Sequence, residues 1–233
     1  MLTLLMAMSA LAPIDTAKTI KFTADAGFVN TTGNTEISTI NVGDKLEFSA
    51  GGWGVVQTFA VIYGRSEGET TTSLWRGALR GDRAISARVG AYVLGEFDRN
   101  TFAGIRGRYA PSIGLTALLL ESPKDKLRAE AGAGYVWQRG VAPAPDQEFS
   151  AGRGALLYER LLGAKSKVTQ VLEFMPNFKA GDDLRINSET AITAPIVTGV
   201  AMKASYVIRY DGLPEPGFKT TDRILTTGVQ VTF

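Results

Sequence analysis

Apolar and polar residues alternate strictly along the last segment of the chain. Successive side chains of a β-strand point to opposite faces, so such a segment meets an apolar phase on one side and a polar phase on the other. The same alternation recurs through most of the chain, for example over residues 127–137 and 200–210. In the last segment the apolar positions are Leu225, Val229, Val231 and Phe233, and the polar positions are Thr226, Gly228, Gln230 and Thr232.

Turn signals rich in Gly, Pro, Asn, Asp and Ser separate these alternating segments. Eleven such signals divide the chain into twelve strands. Each strand has roughly ten or more residues, the length that a tilted strand needs to cross a membrane. The pattern predicts an all-β fold, namely a transmembrane antiparallel up-and-down β-barrel of about 12 strands with both termini periplasmic. The predicted turns are at residues 31–34, 50–52, 65–68, 81–83, 98–100, 122–125, 141–146, 164–166, 176–183, 193–195 and 212–217.

The aromatic residues indicate which face of the strands is the outer one. Aromatic side chains prefer the membrane interface, because they combine an apolar body with a polar or polarisable edge. Each odd-numbered strand carries an aromatic residue on its apolar parity, just before the predicted outer loop. A soluble sandwich would instead place its aromatics mid-strand, in the core. The pattern therefore predicts a barrel in the bacterial outer membrane, with an outer aromatic girdle of Phe28, Tyr63, Phe97, Trp137, Phe174 and Tyr210.

The amino-terminal segment differs from the rest of the chain. Its apolar run, Leu2 to Pro13, is shorter than the roughly 18 to 20 residues that a membrane-spanning helix needs. The position of this run and the small residues at 10–12 are typical of a signal peptide. We therefore expect residues 1–17 to be a signal peptide, or its remnant and leader, and residues 18–233 to be a single outer-membrane β-barrel domain.

The carboxy terminus predicts how the barrel reaches its membrane. Val229, Val231 and Phe233 lie on the apolar parity and end the chain with an aromatic residue. This arrangement resembles the terminal signal that outer-membrane barrels present to their insertion machinery. The expected partners are that machinery, together with the outer-membrane lipid and lipopolysaccharide around the barrel. The sequence leaves the oligomeric state open.

Composition excludes several classes of function. The 25 basic and 23 acidic residues nearly balance and form no basic cluster, so nucleic-acid binding is not expected. Cysteine and histidine are absent, which removes thiol nucleophiles, thiolate metal sites and the usual general base near neutral pH. A serine nucleophile needs such a base within hydrogen-bond reach. The chain is therefore not expected to be an enzyme, and no metal or cofactor is predicted.

Asp44 departs from the alternation, because it shares the parity of Val42 and Leu46. That parity would place a carboxylate on the lipid face. A glycine inside a strand often marks a β-bulge, so Gly43 is expected to host a bulge that turns Asp44 inward. Alternation is also weaker in the eighth and ninth strands, and the pattern leaves their register open.

The polar parity defines a lumen rich in charge. Such a lumen is either cross-linked into a network that fills the barrel or lines a narrow wet pore. Barrels of about eight strands are filled by side chains and those of sixteen or more leave a channel, so the strand number does not decide. Gly132 and Gly134 are expected to let the strand curve or to make room there for large neighbouring side chains. The predicted inward residues are Lys21, Asp25, Lys45, Glu47, Arg76, Arg80, Arg88, Glu96, Arg106, Arg108, Arg128, Glu130, Arg153, Glu159, Glu173, Arg185, Glu189, Lys203 and Arg209.

Two segments resemble a known family. The first hairpin, residues 25–35, reads Asp-Ala-Gly-Phe-Val-Asn-Thr-Thr-Gly-Asn-Thr, and residues 130–135 read Glu-Ala-Gly-Ala-Gly-Tyr. Both are similar to the YdiY-like salt-induced outer-membrane proteins. The resemblance implies a single outer-membrane barrel that is induced or useful under salt or osmotic stress, and it supplies no catalytic residues.

Three functional hypotheses follow. The first is a narrow, porin-like, weakly anion-preferring pore, because rings of basic residues favour anions. The alternative is a closed structural barrel with a charge-filled lumen that acts through its loops or outer surface, such as the alanine strip at 129, 131 and 133. The third is a membrane-embedded lipid-modifying enzyme, which would need a carboxylate or lysine base. The arginines predicted to select anions in a pore are Arg76, Arg80, Arg88, Arg106, Arg108, Arg128 and Arg153.

Overall fold

The computed structural model describes residues 18–31, 37–66, 69–101, 104–143, 145–163, 165–214 and 219–233, with the side chains of 28–31, 37, 38 and 72 excepted. The predicted signal segment, residues 1–17, lies outside the described residues. The described part forms twelve strands, as the alternation predicts. They are β1 (Thr19–Thr31), β2 (Ile37–Ala50), β3 (Trp53–Ser66), β4 (Glu69–Ala84), β5 (Val89–Asn100), β6 (Ile105–Glu121), β7 (Asp125–Gly140), β8 (Gln147–Leu162), β9 (Ser166–Pro176), β10 (Leu184–Val197), β11 (Val200–Asp211) and β12 (Thr221–Thr232).

The strands close into a barrel. Each strand pairs antiparallel with the next along the chain, and β1 pairs with β12. Because the barrel is closed, β1 and β12 hydrogen-bond to each other and leave no edge strand with unpaired backbone groups. No helix that could span a membrane occurs in the part of the chain that the structure describes. The predicted fold class, an all-β antiparallel closed barrel of twelve strands, is confirmed.

The two ends of the barrel differ. At one end, which we call the turn end, short turns join β2 to β3, β4 to β5 and the following even-to-odd pairs, and both Thr19 and Phe233 lie there. At the opposite end, the loop end, the odd strands finish, and the two longest connections lie there. The loop after β9 covers residues 177–183 and that after β11 covers residues 212–220. At the turn end Gly51 and Gly52 have φ of 55° and 75°, which glycine adopts without strain.

Two predicted turns lie inside strands instead. β4 continues through residues 81–83, because Asp82 faces the lumen as a partner of Arg80, and Arg83 Nη1 donates to the Gly51 carbonyl at 2.9 Å. β10 continues through residues 193–195, and the proline at 195 is accommodated by a register irregularity near the strand end. The turns themselves are at residues 85–88 and 198–199.

The outer face of the barrel is apolar, and exposed Ile, Leu, Val and aromatic side chains cover it. The described girdle residues all lie on this face near the loop end, between 37% and 46% exposed: Tyr63, Phe97, Trp137, Phe174 and Tyr210. The Phe28 side chain lies outside the described residues. Trp137 packs on two further outer tyrosines, with ring centroids 5.9 Å from Tyr109 and 4.7 Å from Tyr135. An apolar band with aromatics at its rim is the surface that a transmembrane barrel presents to lipid.

Asp44 lies on this outer face, so the predicted inward turn is wrong. The register of β2 with both neighbours is continuous through Gly43 and Asp44, and therefore no bulge reverses the parity. The residue before Asp44 is Gly43, which faces inward and lies against the Asp25 carboxylate. With its amide nitrogen turned toward Asp44, Gln57 of β3 donates a hydrogen bond of 3.0 Å to Oδ2.

Candidate functional site in the lumen

Charged side chains from four strands meet at mid-height in the lumen and form the central network, which consists of Arg80, Asp82, Glu130, Arg153 and Glu173. Arg80 of β4 donates to Asp82 from Nε and Nη2, both at 2.9 Å. It also reaches Glu130 of β7 from Nη2 at 2.8 Å and from Nη1 at 3.0 Å. The planar guanidinium fork allows these paired bonds to a carboxylate. Glu130 and Glu173 then accept from Arg153 of β8 at 2.6 and 2.8 Å.

Tyr92 of β5 supports both arginines of the network. The guanidinium carbons of Arg80 and Arg153 lie 4.3 and 5.3 Å from the Tyr92 ring centroid, within cation–π range. Arg153 Nη1 also donates to the tyrosine hydroxyl at 3.0 Å. A Cβ at Gly114 or Gly132 would come within 2.7 or 2.6 Å of that hydroxyl. The expectation that Gly132 makes room for a large lumen side chain is therefore confirmed.

The central network crosses the lumen, and both of its arginines are paired with carboxylates. Arg80, Glu173 and Tyr92 are only 1–2% exposed. The contacts run from β4 to β9, which are five strands apart in the twelve-stranded barrel, and so reach across the interior at this height. Two guanidiniums face three carboxylates, which leaves the network with a net negative charge. The arginines here are therefore neutralised and present no positive ring to a passing anion.

A second charged layer lies toward the turn end. Lys45 Nζ is 2.7 Å from Glu47 Oε1, and Lys167 Nζ is 3.2 Å from Glu159 Oε2. Arg128 of β7 points into the lumen between this layer and the central network, and it is partly buried. These pairs are more exposed than the central ones, so each contributes less to stability.

At the loop end the lumen opens into a cavity of about 80 Å³, which we call the vestibule. Arg108 Nε donates to the amide oxygen of Gln138 at 3.0 Å, and Arg185 Nη1 reaches the same oxygen at 3.5 Å. A smaller cavity of about 30 Å³ lies beneath it and includes Glu96 in its wall. The charged residues that line the vestibule are Arg76, Asp98, Arg108, Arg185, Arg209, Asp211, Lys219 and Asp222.

Arg185 is the vestibule arginine with acidic partners. Its Nε lies 3.4 Å from Asp183 Oδ1 and 3.5 Å from Asp211 Oδ2. Its guanidinium carbon is 5.2 Å from the ring centroid of Phe149, so the group also stacks on an aromatic wall. Arg185 is consequently held in place, whereas the other three arginines of the vestibule have no comparable pairing among the described residues.

Glu189 and Lys203 occupy a separate part of the lumen on β10 and β11. Glu189 is buried, and its Oε2 makes no hydrogen bond among the described residues. Lys203 faces inward and is half-buried. Neither residue joins the central network by a direct contact of the described side chains.

Two arginines predicted to face the lumen lie elsewhere. Arg88 is exposed in the turn between β4 and β5, because β4 extends to Ala84 and moves the turn to residues 85–88. Arg106 is exposed because the β6–β7 register shifts between Ile105 and Gly107. This irregularity lets Ile105 and Arg108 both face inward, although they are three residues apart, and it leaves Arg106 pointing outward. The lumen assignment of Arg88 and Arg106 is therefore wrong.

Sequence reasoning missed several lumen residues. Tyr92 shares the parity of Glu96, and parity alone places it inside. It carries no charge, however, and the predicted lumen list contains only charged residues. Asp82 lies within the predicted turn at residues 81–83. Asn187 and Gln138 are neutral, yet Asn187 donates to Glu173 at 3.0 Å and Gln138 receives Arg108. A search of the inward parity for every polar and aromatic residue, rather than for charge, would have found all of them.

Solved structures with a similar fold are outer-membrane barrels. The translocator domain of the autotransporter NalP from Neisseria meningitidis matches with 12% identity and a TM-score of 0.50, over 93% of this chain and 87% of that one. The NanC porin matches with 8% identity and a TM-score of 0.55, over 90% of this chain and 98% of that one. At such identities the likeness concerns the fold. Curated protein sequences include no significant match.

The fold and the outer surface together place the protein. A closed barrel with an apolar outer band and an aromatic rim is stable in a membrane, where every backbone polar group must be paired internally. The chain is accordingly a barrel of the bacterial outer membrane, porin-like in architecture. Residues 24–233 match the family model described as "Protein of unknown function, DUF481". The chain belongs to this DUF481 family.

Proposed function

We propose that the protein is an outer-membrane barrel whose lumen is held closed by the central network. The observation that carries this proposal is the continuous chain of contacts from Arg80 through Glu130 and Arg153 to Glu173. It links β4, β7, β8 and β9 across the interior, and Tyr92 fills the space beside it. A barrel of this kind acts through its rigidity, its loops and its outer surface.

The energetics favour a persistent closure. Removing one partner from a buried ion pair costs about 3–5 kcal/mol, because the other charge is left uncompensated. Opening the lumen at mid-height would separate Arg80 from Glu130, or Arg153 from Glu173, and each of these pairs is buried. Spontaneous opening is therefore rare, and it requires water to replace all of the broken contacts.

The outer surface offers a place for such a barrel to act. Ala133, the last residue of the alanine strip at 129, 131 and 133, lines an apolar groove that also includes Val93, Gly95 and Ile113. Lipid acyl chains, a partner or a second copy could occupy it. No catalytic role enters the proposal. Outer-membrane lipid and lipopolysaccharide surround the barrel in this scheme, and the insertion machinery acts on Val229, Val231 and Phe233.

A narrow anion-preferring pore is the second candidate, and one observation favours it. The vestibule is lined by five basic and three acidic residues, so one mouth of the lumen is electropositive. In this version the central network is a gate that opens, and Arg76, Arg108 and Arg185 bias the mouth toward anions. The negative balance of the central network argues against selection at mid-height.

Single-channel recording in planar bilayers separates the two candidates. Refolded wild-type protein is expected to be silent, and Glu130→Gln is expected to give steady steps, because Arg80 and Arg153 then lose their shared counter-charge. The matched control is Glu121→Gln, which changes an exposed carboxylate paired with Lys126 at 3.0 Å. This variant should remain silent, since exposed pairs contribute roughly 0–1 kcal/mol.

The recordings have two informative alternatives. Steady wild-type currents with anion preference in a salt gradient would replace the closed barrel by the pore. A silent Glu130→Gln variant that is fully folded, as judged by its heat-dependent migration in detergent gels, would remove the central network from its proposed role.

The similarity to the YdiY-like proteins adds a physiological context to the proposal. A closed barrel would serve a cell under salt or osmotic stress by strengthening the envelope without adding a leak. Buried ion pairs suit that task, because they are screened by salt much less than exposed ones.

A further inference from the structure

The vestibule carries an excess of positive charge, unlike the central network, which has an excess of negative charge. Its basic side chains come from β4, β6, β10, β11 and the segment before β12. Among the described residues three carboxylates line the same cavity, so their balance with the basic groups is two positive charges. A concave cavity concentrates the field of such charges.

Three of the vestibule guanidiniums are not neutralised by ion pairs. Among the described residues, no carboxylate oxygen lies within 4.0 Å of Arg76, Arg108 or Arg209, whereas Arg185 has Asp183 and Asp211. The described partner of Arg108 is a neutral amide oxygen, which Arg185 shares. A neutral acceptor satisfies a hydrogen bond but forms no ion pair with the guanidinium.

Buried donors in this group also lack acceptors. Arg76 Nη1 and both Nε and Nη2 of Arg209 are buried and make no hydrogen bond among the described residues. A buried donor without an acceptor is unfavourable, so such groups normally have a partner, a bound water or a ligand. Both residues line the vestibule.

The cavity is large enough for a ligand. Its volume of about 80 Å³ is several times the roughly 10–15 Å³ that one water molecule requires. A small oxyanion brings several acceptor oxygens within reach of more than one guanidinium, and arginine binds such oxygens in pairs. The size of the cavity, its positive charge and its unused donors therefore all favour a small oxyanion.

We propose that the vestibule is a binding site for a small free oxyanion, a carboxylate, sulfate or phosphate, held between Arg76, Arg108 and Arg209. Asp98 is the opposing group: its carboxylate is 6% exposed, lines the same cavity and has Oδ1 without a hydrogen bond among the described residues. Its charge lowers the affinity for an anion. The site does not depend on whether the barrel conducts, because a dead-end cavity binds a ligand equally well.

Isothermal titration calorimetry on the refolded full chain tests the site, with sodium sulfate and sodium phosphate as probes at low ionic strength. We expect Arg209→Gln to weaken binding about tenfold or more, as loss of a charge-assisted hydrogen bond does. Asp98→Asn is expected to strengthen binding several-fold, because it removes the repelling charge. The matched control is Arg99→Gln on β5, whose exposed side chain lies on the outer parity beside Asp98, and it should bind like the wild type.

Folding and binding can be separated in this series. Each variant is first shown to migrate as a folded barrel in unheated detergent gels. Asp98→Asn is a gain of affinity that an unfolded protein cannot mimic. The proposal is overturned if the wild type shows no saturable binding of either anion, or if Arg209→Gln and Asp98→Asn both bind like Arg99→Gln.

Discussion

Asp44 places a carboxylate on the face of the barrel that meets lipid, about halfway along β2. Charged groups at the lipid face are destabilising, less so for acidic than for basic residues. The Gln57 amide compensates part of this cost by donating to Oδ2 at 3.0 Å. The residue is thus the clearest conflict between local chemistry and environment in the described barrel.

Replacing Asp44 by Asn is expected to stabilise the barrel. The variant removes the charge and retains an oxygen that accepts from Gln57, so the free energy of unfolding should rise by about 1 kcal/mol. Urea unfolding in lipid vesicles, followed by tryptophan fluorescence, measures the change. Asp146→Asn, at an exposed loop position, is the matched control and should leave the midpoint unchanged. A lower midpoint for Asp44→Asn would show that its negative charge has a partner at this position.

Single residues also show where sequence patterns stop being informative. Parity correctly places Arg80, Glu130 and Arg153 inside, because alternation depends only on the strand backbone. Parity gives no information on which partner each side chain meets, since that depends on height and on the curvature of the barrel. Arg106 shows a second limit: one irregularity in register reverses a side chain, and no residue type in that segment marks it.

At the scale of elements, the seam between β1 and β12 has the shortest register of all the strand pairings in the barrel. Its register covers Thr23–Ala26 with Val229–Thr232, whereas β1 pairs with β2 along its whole length from Thr19 to Thr31. Backbone bonds between Phe22 and Phe233, at 2.9 and 3.3 Å, extend the seam at the turn end. The rings of these two residues are 6.1 Å apart. The terminal aromatic therefore helps to close the barrel.

Gly228 sets how closely the two seam strands approach. A Cβ at this position would lie 2.5 Å from the Ala26 carbonyl oxygen, a backbone atom of β1. Gly228→Ala should therefore force the seam apart and lower the free energy of unfolding by about 1–3 kcal/mol, as overpacking does. Gly154→Ala is the matched control, because its Cβ would meet nothing closer than 4.0 Å. Equal urea midpoints for the two variants would contradict the tight seam.

The elements themselves were largely predictable, and the exceptions have a common cause. Long alternating segments fix the number of strands, since few other structures satisfy that pattern. The turn predictions failed at 81–83 and 193–195, where polar, glycine and proline residues occur inside strands. In a barrel with a charged lumen, residues such as Asp82 are polar because they pair inside, not because they form a turn.

At the scale of the whole molecule, a porin-like fold does not imply an open channel. Twelve strands leave an interior between the filled and the water-filled regimes, and the side chains decide which applies. Here Tyr92, Arg80 and Arg153 occupy the middle of the lumen, and glycines on β6 and β7 make room for the tyrosine. The vestibule remains as a cavity at the loop end of the described lumen.

A lumen closed by buried ion pairs should stay closed when the salt concentration rises. Exposed charges are screened over a Debye length of about 10 Å at 0.1 M and about 3 Å at 1 M, but buried pairs are affected much less. Cells that carry the wild-type protein are therefore expected to grow in high-salt medium without increased leakage of a periplasmic reporter enzyme. Cells with Glu130→Gln should leak and grow more slowly, because Arg80 and Arg153 lose the carboxylate that they share. Glu121→Gln, which alters only an exposed pair at the turn end, should match the wild type. Leakage that rises with salt in wild-type cells would mean that the network opens under the conditions in which the closed barrel is proposed to act.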